Sequence, residues 1–296
     1  MTINVVHAIA ALGAMGIVFA LLLGIASKVF AVSVDERIPK VQACLPGANC
    51  GGCGYPGCEG LASAIVAGKA PVNGCPVGGA AAADKIAEIL GVSSSASEKM
   101  VAFVHCSGGC DAVNKFTYEG LSDCRADMRV GSSKLCASGC LGHGNCVKVC
   151  PFHAIRLENG VAVVDREKCT ACQKCIAECP KKLISLVPYK NPVAVACASV
   201  EKGPAVINSC ATGCIGCKKC ETVCKFSAIT VENNFASIDY TKCVGCKLCT
   251  KACPRNVIIP RPTPEEKEKF AAVLKAQAAK HKQKSDTESR DVAAEI

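Results

Sequence analysis

Cys136 to Pro180 can be laid on Cys210 to Pro254 without a gap, and every cysteine of the first stretch falls on a cysteine of the second. A chain that writes one pattern twice folds as two homologous units. In each unit, two cysteine runs flank a pair of short apolar stretches joined by a tight-turn signal, Asn159-Gly160 in the first and Asn233-Asn234 in the second. The runs Cys169, Cys172, Cys175, Cys179-Pro180 and Cys243, Cys246, Cys249, Cys253-Pro254 have C-x2-C-x2-C-x3-C-P spacing. In that run three thiolates bind one 4Fe-4S cluster and the fourth reaches across to its neighbour. Cys214, Cys217, Cys220 and Cys224 keep the same spacing without the proline. Hairpins and short helices around cysteine loops make the expected class α+β.

Crossed ligation assigns Cys214, Cys217, Cys220 and Cys253 to one cluster of the second unit, and Cys224, Cys243, Cys246 and Cys249 to the other. In the first unit Cys150, Cys169, Cys172 and Cys175 make one complete set. Cys140, Cys146 and Cys179 make only three corners of its partner, because His143 stands where the second unit has Cys217. Either His143 or Cys136 supplies the fourth corner, and Cys136 is preferred because cluster iron is overwhelmingly thiolate-bound. His143 is then a loop residue beside the cluster.

Upstream, Cys50, Cys53, Cys58 and Cys75 have C-x2-C-x4-C-x16-C spacing, and glycines between the first three let the backbone curl so that four thiolates point inward. Zinc sites also open with C-x2-C, but they pair two such knuckles, which this run does not do. Five clusters use 20 of the 26 cysteines and leave Cys44, Cys106, Cys110, Cys124, Cys197 and Cys210. A sixth cluster on Cys106, Cys124, Cys197 and Cys210, or four buried free thiols, are equal alternatives.

With 4% aromatic residues and no Trp, the chain cannot rely on one large aromatic core, so groups bound to its cysteines contribute to folding. Cysteines two or three residues apart converge on one point rather than staple distant loops, which favours metal and a reducing compartment over disulfides. The formal charge of +9 counts the cysteines as neutral. An oxidised 4Fe-4S centre with four thiolates carries about −2, so five offset it by roughly −10, and the basic balance is no sign of nucleic acid. No Gly-rich dinucleotide loop, P-loop or Ser-His-Asp pattern is present, and no catalytic side chain is expected.

Val5 to Ser27 is 23 residues without a charge, enough for one helical span of a membrane. No Lys or Arg precedes it, whereas Lys28, Arg37 and Lys40 follow, so the positive-inside rule places the bulk of the chain on the cytoplasmic side. The expected division is a transmembrane anchor at 1–28, a small helical 4Fe-4S domain at 29–92, two ferredoxin-like modules at 93–190 and 191–260, and a polar helical tail at 261–296. The stretch SSSASE reads as a linker, and Thr263 with Glu266 opens the tail with a capping box.

The span, the motif GANCGGCGYPGCEG, and the module carrying CLGHGNCVKVCPFHAI and CPKKLISLVPY resemble the RnfB family, which contributes one subunit to the Rnf complex, the ion-translocating ferredoxin:NAD oxidoreductase of bacterial membranes. The resemblance implies an electron conduit. Reduced ferredoxin gives electrons to the clusters of this subunit, which relays them to membrane flavin and Fe-S partner subunits that reduce NAD and move sodium ions or protons. It also implies that the first domain is the exit nearest the membrane and that ferredoxin arrives at the distal module. Lys181, Lys182, Lys218, Lys219, Lys242, Lys247 and Lys251 crowd the cluster motifs, where they either steer an acidic ferredoxin or balance cluster charge. Two other readings are a membrane-anchored polyferredoxin subunit of a hydrogenase or formate dehydrogenase, and a zinc-bound structural adaptor.

Overall fold

A computed structural model describes residues 2–29, 35–93 and 98–262. The centre of the SSSASE linker and the tail from Thr263, with its capping box, lie outside the described residues.

Helix α1 (Thr2–Val29) is uncharged until Lys28 in its last turn. Its Leu12, Phe19 and Leu23 are exposed, and it is the one described helix long and apolar enough to cross a membrane. A second unit packs α2 (Arg37–Cys44), α3 (Gly57–Val66) and α4 (Gly79–Leu90) around Val41, Leu61, Ala62, Ile65 and Ile86. Apolar side chains at helical spacing meet in that small core. The last helix stops at Gly91, whose φ of 66° is a left-handed cap that glycine adopts without strain.

The next unit closes on itself from its two ends. Strand β1 (Met100–Val104) pairs antiparallel with β4 (Ile184–Pro188), while β2 (Ile155–Glu158) and β3 (Val161–Val164) form the hairpin between them. Asn159 and Gly160 turn that hairpin with φ of 47° and 74°, both positive as a type I′ turn requires. The final unit repeats the plan. Strand β5 (Val193–Val195) pairs with β8 (Ile258–Pro260), and β6 (Ile229–Glu232) with β7 (Phe235–Ile238) across Asn233-Asn234.

Short helices follow the cysteine loops: α6 (Asn145–Lys148) and α7 (Lys174–Glu178) in the first of these units, α9 (Lys219–Thr222) and α10 (Leu248–Ala252) in the second. Two more carry further cysteines. Helix α5 (Cys124–Arg129) begins on one, and α8 (Gly203–Ser209) ends just before Cys210. The two units are joined by polar contacts. His105 donates from Nδ1 to the Val195 carbonyl at 2.8 Å and accepts at Nε2 from the Ser185 hydroxyl at 2.6 Å. Val113 donates to the Ser209 carbonyl at 2.9 Å and its own carbonyl accepts from Leu135 at 2.8 Å, so residues 112–114 lie between 133–135 and 209–210.

Candidate metal centres

The four cysteine loops of the repeated units share one backbone. The residue just before each short helix is left-handed, with φ of 78° at Gly144, 63° at Gln173, 58° at Lys218 and 61° at Lys247. That turn folds the loop back over itself, so sulfurs and amides face one interior. Cys150, Cys179, Cys224 and Cys253 each accept from the amide four residues on, at 3.3 to 3.4 Å. Such donors stabilise thiolates and the charge of any centre they hold.

Cys124, Cys140, Cys146 and Cys179 line one cavity. Cys214, Cys217, Cys220 and Cys253 line another, and Cys224, Cys243, Cys246 and Cys249 a third. A fourth lies between the two units and is walled by Cys106, Cys136, Cys197 and Cys210. Cys150, Cys169, Cys172 and Cys175 form a fifth group, in which the first two lie near enough to raise the thiols of Cys172 and Cys175 after burial has done so. Cys53 and Cys58 act in the same way on Cys75, and Cys50 lies on their loop. Among the described residues no three His, Cys, Asp or Glu side chains close on a point as a single metal ion requires. Four thiols gathered around one cavity, repeated four times, instead suit multi-iron clusters.

Two cysteines stand in each other's place relative to the sequence expectation. The corner expected for Cys136, beside Cys140, Cys146 and Cys179, is taken by Cys124 from α5. Cys136 instead joins Cys106, Cys197 and Cys210 in the cavity expected to hold Cys124. The reason is geometric: α5 lays Cys124 against the loop of residues 140–146, while Cys136 precedes that loop and faces the junction. No spacing rule reveals this, since Cys124 lies outside both repeats; the one local signal is Asp123, which caps α5 by accepting from Arg125 and Ala126 at 2.8 and 2.9 Å. His143 does not line the cavity. Its Nε2 lies 2.8 Å from Asp127 Oδ2, on a carboxylate that is fully buried.

Burial pushes the Cys146 and Cys175 thiols up to about 12 and those of Cys136 and Cys220 up to about 11, with neighbouring cysteines adding to the effect. Thiols this hard to ionise in water give up their protons to metal, whose charge compensates the buried thiolates.

Neighbouring groups meet through their cysteines or through the loops that carry them. The Cys140 amide donates to Cys106 Sγ at 3.4 Å, and the Cys214 amide to Cys197 Sγ at 3.4 Å, so the junction cavity is tied to one group on each side. At the other end, Gln173 Nε2 donates to the Gly52 carbonyl at 3.2 Å and Cys50 acts on Cys172. Of the remaining cysteines, Cys44 packs on the helical core and Cys110 is exposed near the β2–β3 turn.

Comparison with known proteins follows the same division. Residues 45–77 match a family described as an Fe-S cluster, and residues 133–180 and 213–257 each match a 4Fe-4S dicluster domain. The chain is 50% identical over 250 residues to the B component of the Na(+)-translocating ferredoxin:NAD(+) oxidoreductase complex of Acetobacterium woodii, covering 83% of this chain and 75% of that protein. It is 43% identical over 240 residues to the B component of the ion-translocating oxidoreductase complex of Methanosarcina acetivorans, covering 80% of this chain and 91% of that one. With the B component of the proton-translocating ferredoxin:NAD(+) oxidoreductase complex of Clostridium ljungdahlii the identity is 40% over 229 residues, 76% of this chain and 81% of that one.

Proposed function

Because this chain belongs to the RnfB family, a component of ion-translocating ferredoxin:NAD oxidoreductase (Rnf) complexes, we propose that its cysteine groups hold six 4Fe-4S clusters in single file. The protein is the electron-transfer subunit of such a complex, and other subunits of that complex are its partners. When bound, the clusters supply one-electron transfer. The residues supply the order.

The ligand sets are Cys50, Cys53, Cys58 and Cys75; Cys150, Cys169, Cys172 and Cys175; Cys124, Cys140, Cys146 and Cys179; Cys106, Cys136, Cys197 and Cys210; Cys214, Cys217, Cys220 and Cys253; and Cys224, Cys243, Cys246 and Cys249. Written in that sequence, hydrogen bonds join the junction set to its two neighbours and the first set's loop to the second's. Cys175 acts on Cys146 between the second and third, and the last two share the core of the second module. The observation that carries the reading is the four-thiol cavity at the junction, hydrogen-bonded to a ligand residue of either neighbour. With residues 1–28 as anchor, the domain at 29–92 stands nearest the membrane, and the modules at 93–190 and 191–260 extend into the cytoplasm, as the basic residues after the span support.

Reduced ferredoxin is the proposed donor, at the distal module. There Cys217 and Cys246 are exposed, Val244 and Leu248 are 61% and 41% exposed, and Lys218, Lys219 and Lys251 are exposed on the same cysteine loops and short helices. Lys181 belongs elsewhere, since its Nζ donates to the Ala137 carbonyl at 2.8 Å and to Ser132. Exposed apolar side chains and lysines on the cluster loops suit an acidic partner that docks briefly.

The test is iron and acid-labile sulfide per chain on anaerobically purified full-length protein, followed by reduction with reduced ferredoxin at rising salt. About 24 iron with equal sulfide is expected, with an association rate that falls as salt rises. About 20 iron would remove the junction cluster, stoichiometric zinc without sulfide would remove the whole reading, and a salt-independent rate would remove the docking site.

A further inference from the structure

We propose that Asp127 and His143 are a positioning pair that holds Cys124 in the ligand corner which, in the second module, the loop fills for itself with Cys217. The proposal rests on the cluster reading above.

In the second module Cys217 forms part of the cavity wall with Cys214 and Cys220. In the first, Gly142, Gly144 and Asn145 line the corresponding wall, but His143 does not. Its ring is turned to α5 instead, where Nε2 meets Asp127 Oδ2 at 2.8 Å and the Tyr118 ring packs on it at 5.1 Å. The loop has therefore lost a thiolate and gained a handle on the helix that brings one in.

The handle is built with care for its charge. Asp127 is 0% exposed, and besides His143 it accepts from the Ser133 amide and the Ser133 hydroxyl, each at 2.7 Å. Burial opposes its charge, yet these bonds hold the carboxyl below its usual range. A buried carboxylate is costly and is best explained by what it fixes in place. What it fixes is α5, a helix of six residues that is too short to hold itself. Cys124 begins that helix one turn before Asp127. Its amide donates to Asn145 Oδ1 at 2.8 Å, and Asn145 Nδ2 donates back to Asp123 Oδ2 at 2.7 Å. The helix is thus stitched to the loop at both ends, by Asn145 beside the thiol and by His143 one turn further on.

Ligand transfer tests this. Full-length wild type, Asp127→Asn, Cys124→Ser, the double variant Cys124→Ser/His143→Cys, and that double with Asp127→Asn are compared by iron and sulfide content and by EPR through a redox titration. Cys124→Ser is expected to lose about four iron per chain or convert one cluster's signal. Asp127→Asn is expected to deplete the same cluster or displace its potential, and no other. Moving the thiol to position 143 restores the iron, and in that background Asp127→Asn has no further effect, because the residue acts through Cys124. An Asp127→Asn protein identical to wild type in iron, signal and potential would overturn the proposal. So would a defect of Asp127→Asn that persists after the transfer, which marks a general structural role, or a double variant no better than Cys124→Ser. Wild type without iron and sulfide would instead defeat the cluster reading itself.

Discussion

Cys136 is 8% exposed at the junction, where the charges of Cys197 and Cys106 act on it, and Cys124 lies in a different cavity with Cys179. The two thiols therefore fail separately. Cys136→Ala is expected to remove about four iron and one EPR signal while the first module keeps both of its own clusters. With ferredoxin as the proposed donor, the second module would still be reduced, but the first module and the N-terminal domain would stay oxidised on the timescale of normal transfer. Cys124→Ala is expected to take away a different signal, and identical spectra for the two variants would contradict the assignment. Most of the cysteine groupings seen around the cavities were legible from spacing alone, because such a loop fixes three sulfurs within a few residues of one another. The exchange of Cys124 and Cys136 was not, because each supplies a single thiol from outside such a loop.

At the scale of elements, the loop after Cys50 meets the loop of Cys172 closely. A Cβ at Gly52 would stand 2.8 Å from the Cys172 carbonyl oxygen, and neither backbone can yield easily. Gly52→Val is therefore expected to push the N-terminal domain off the first module without changing iron content. Rapid-freeze EPR after reduction would show it as a markedly slower reduction of the N-terminal cluster, since tunnelling weakens steeply with distance; an unchanged rate would show that this contact is not the path. Both hairpins were legible from Asn159-Gly160 and Asn233-Asn234, whose positive φ few other pairs tolerate. The closing pairs β1–β4 and β5–β8 were only half legible. An apolar strand can be read locally, but its partner far along the chain is chosen by what the intervening loops bring together, as Val101 and Val187 show by facing each other in register.

The whole molecule is held by its cysteines as much as by its apolar side chains. The described sheets have two strands each, which is marginal on its own. Cys169 and Cys175 belong to the core of the first module, and Cys197 and Cys220 to that of the second. Stripping iron with a chelator in denaturant-free buffer is expected to abolish cooperative melting of residues 98–262 and of the small helical core, in which Cys58 and Cys75 are buried, by circular dichroism, while α1 loses less. An iron-free protein that still melts in one sharp transition would show that the apolar core suffices.

The sequence by itself determined the repeated module, the crossed cluster loops, the apolar helix and membership of an electron-transfer family, because all of these are written in spacing within a few dozen residues. Only the tertiary structure decided which lone thiol completes which cavity. Cys106, Cys124 and Cys197 lie outside the repeated stretch, and the repeat pairs Cys136 with Cys210 without saying which cavity either one enters. Their assignment depends on α5 being held to its loop by Asp127 and His143, and on residues 112–114 drawing the two modules together, so that four cysteines from four separate segments meet at the junction.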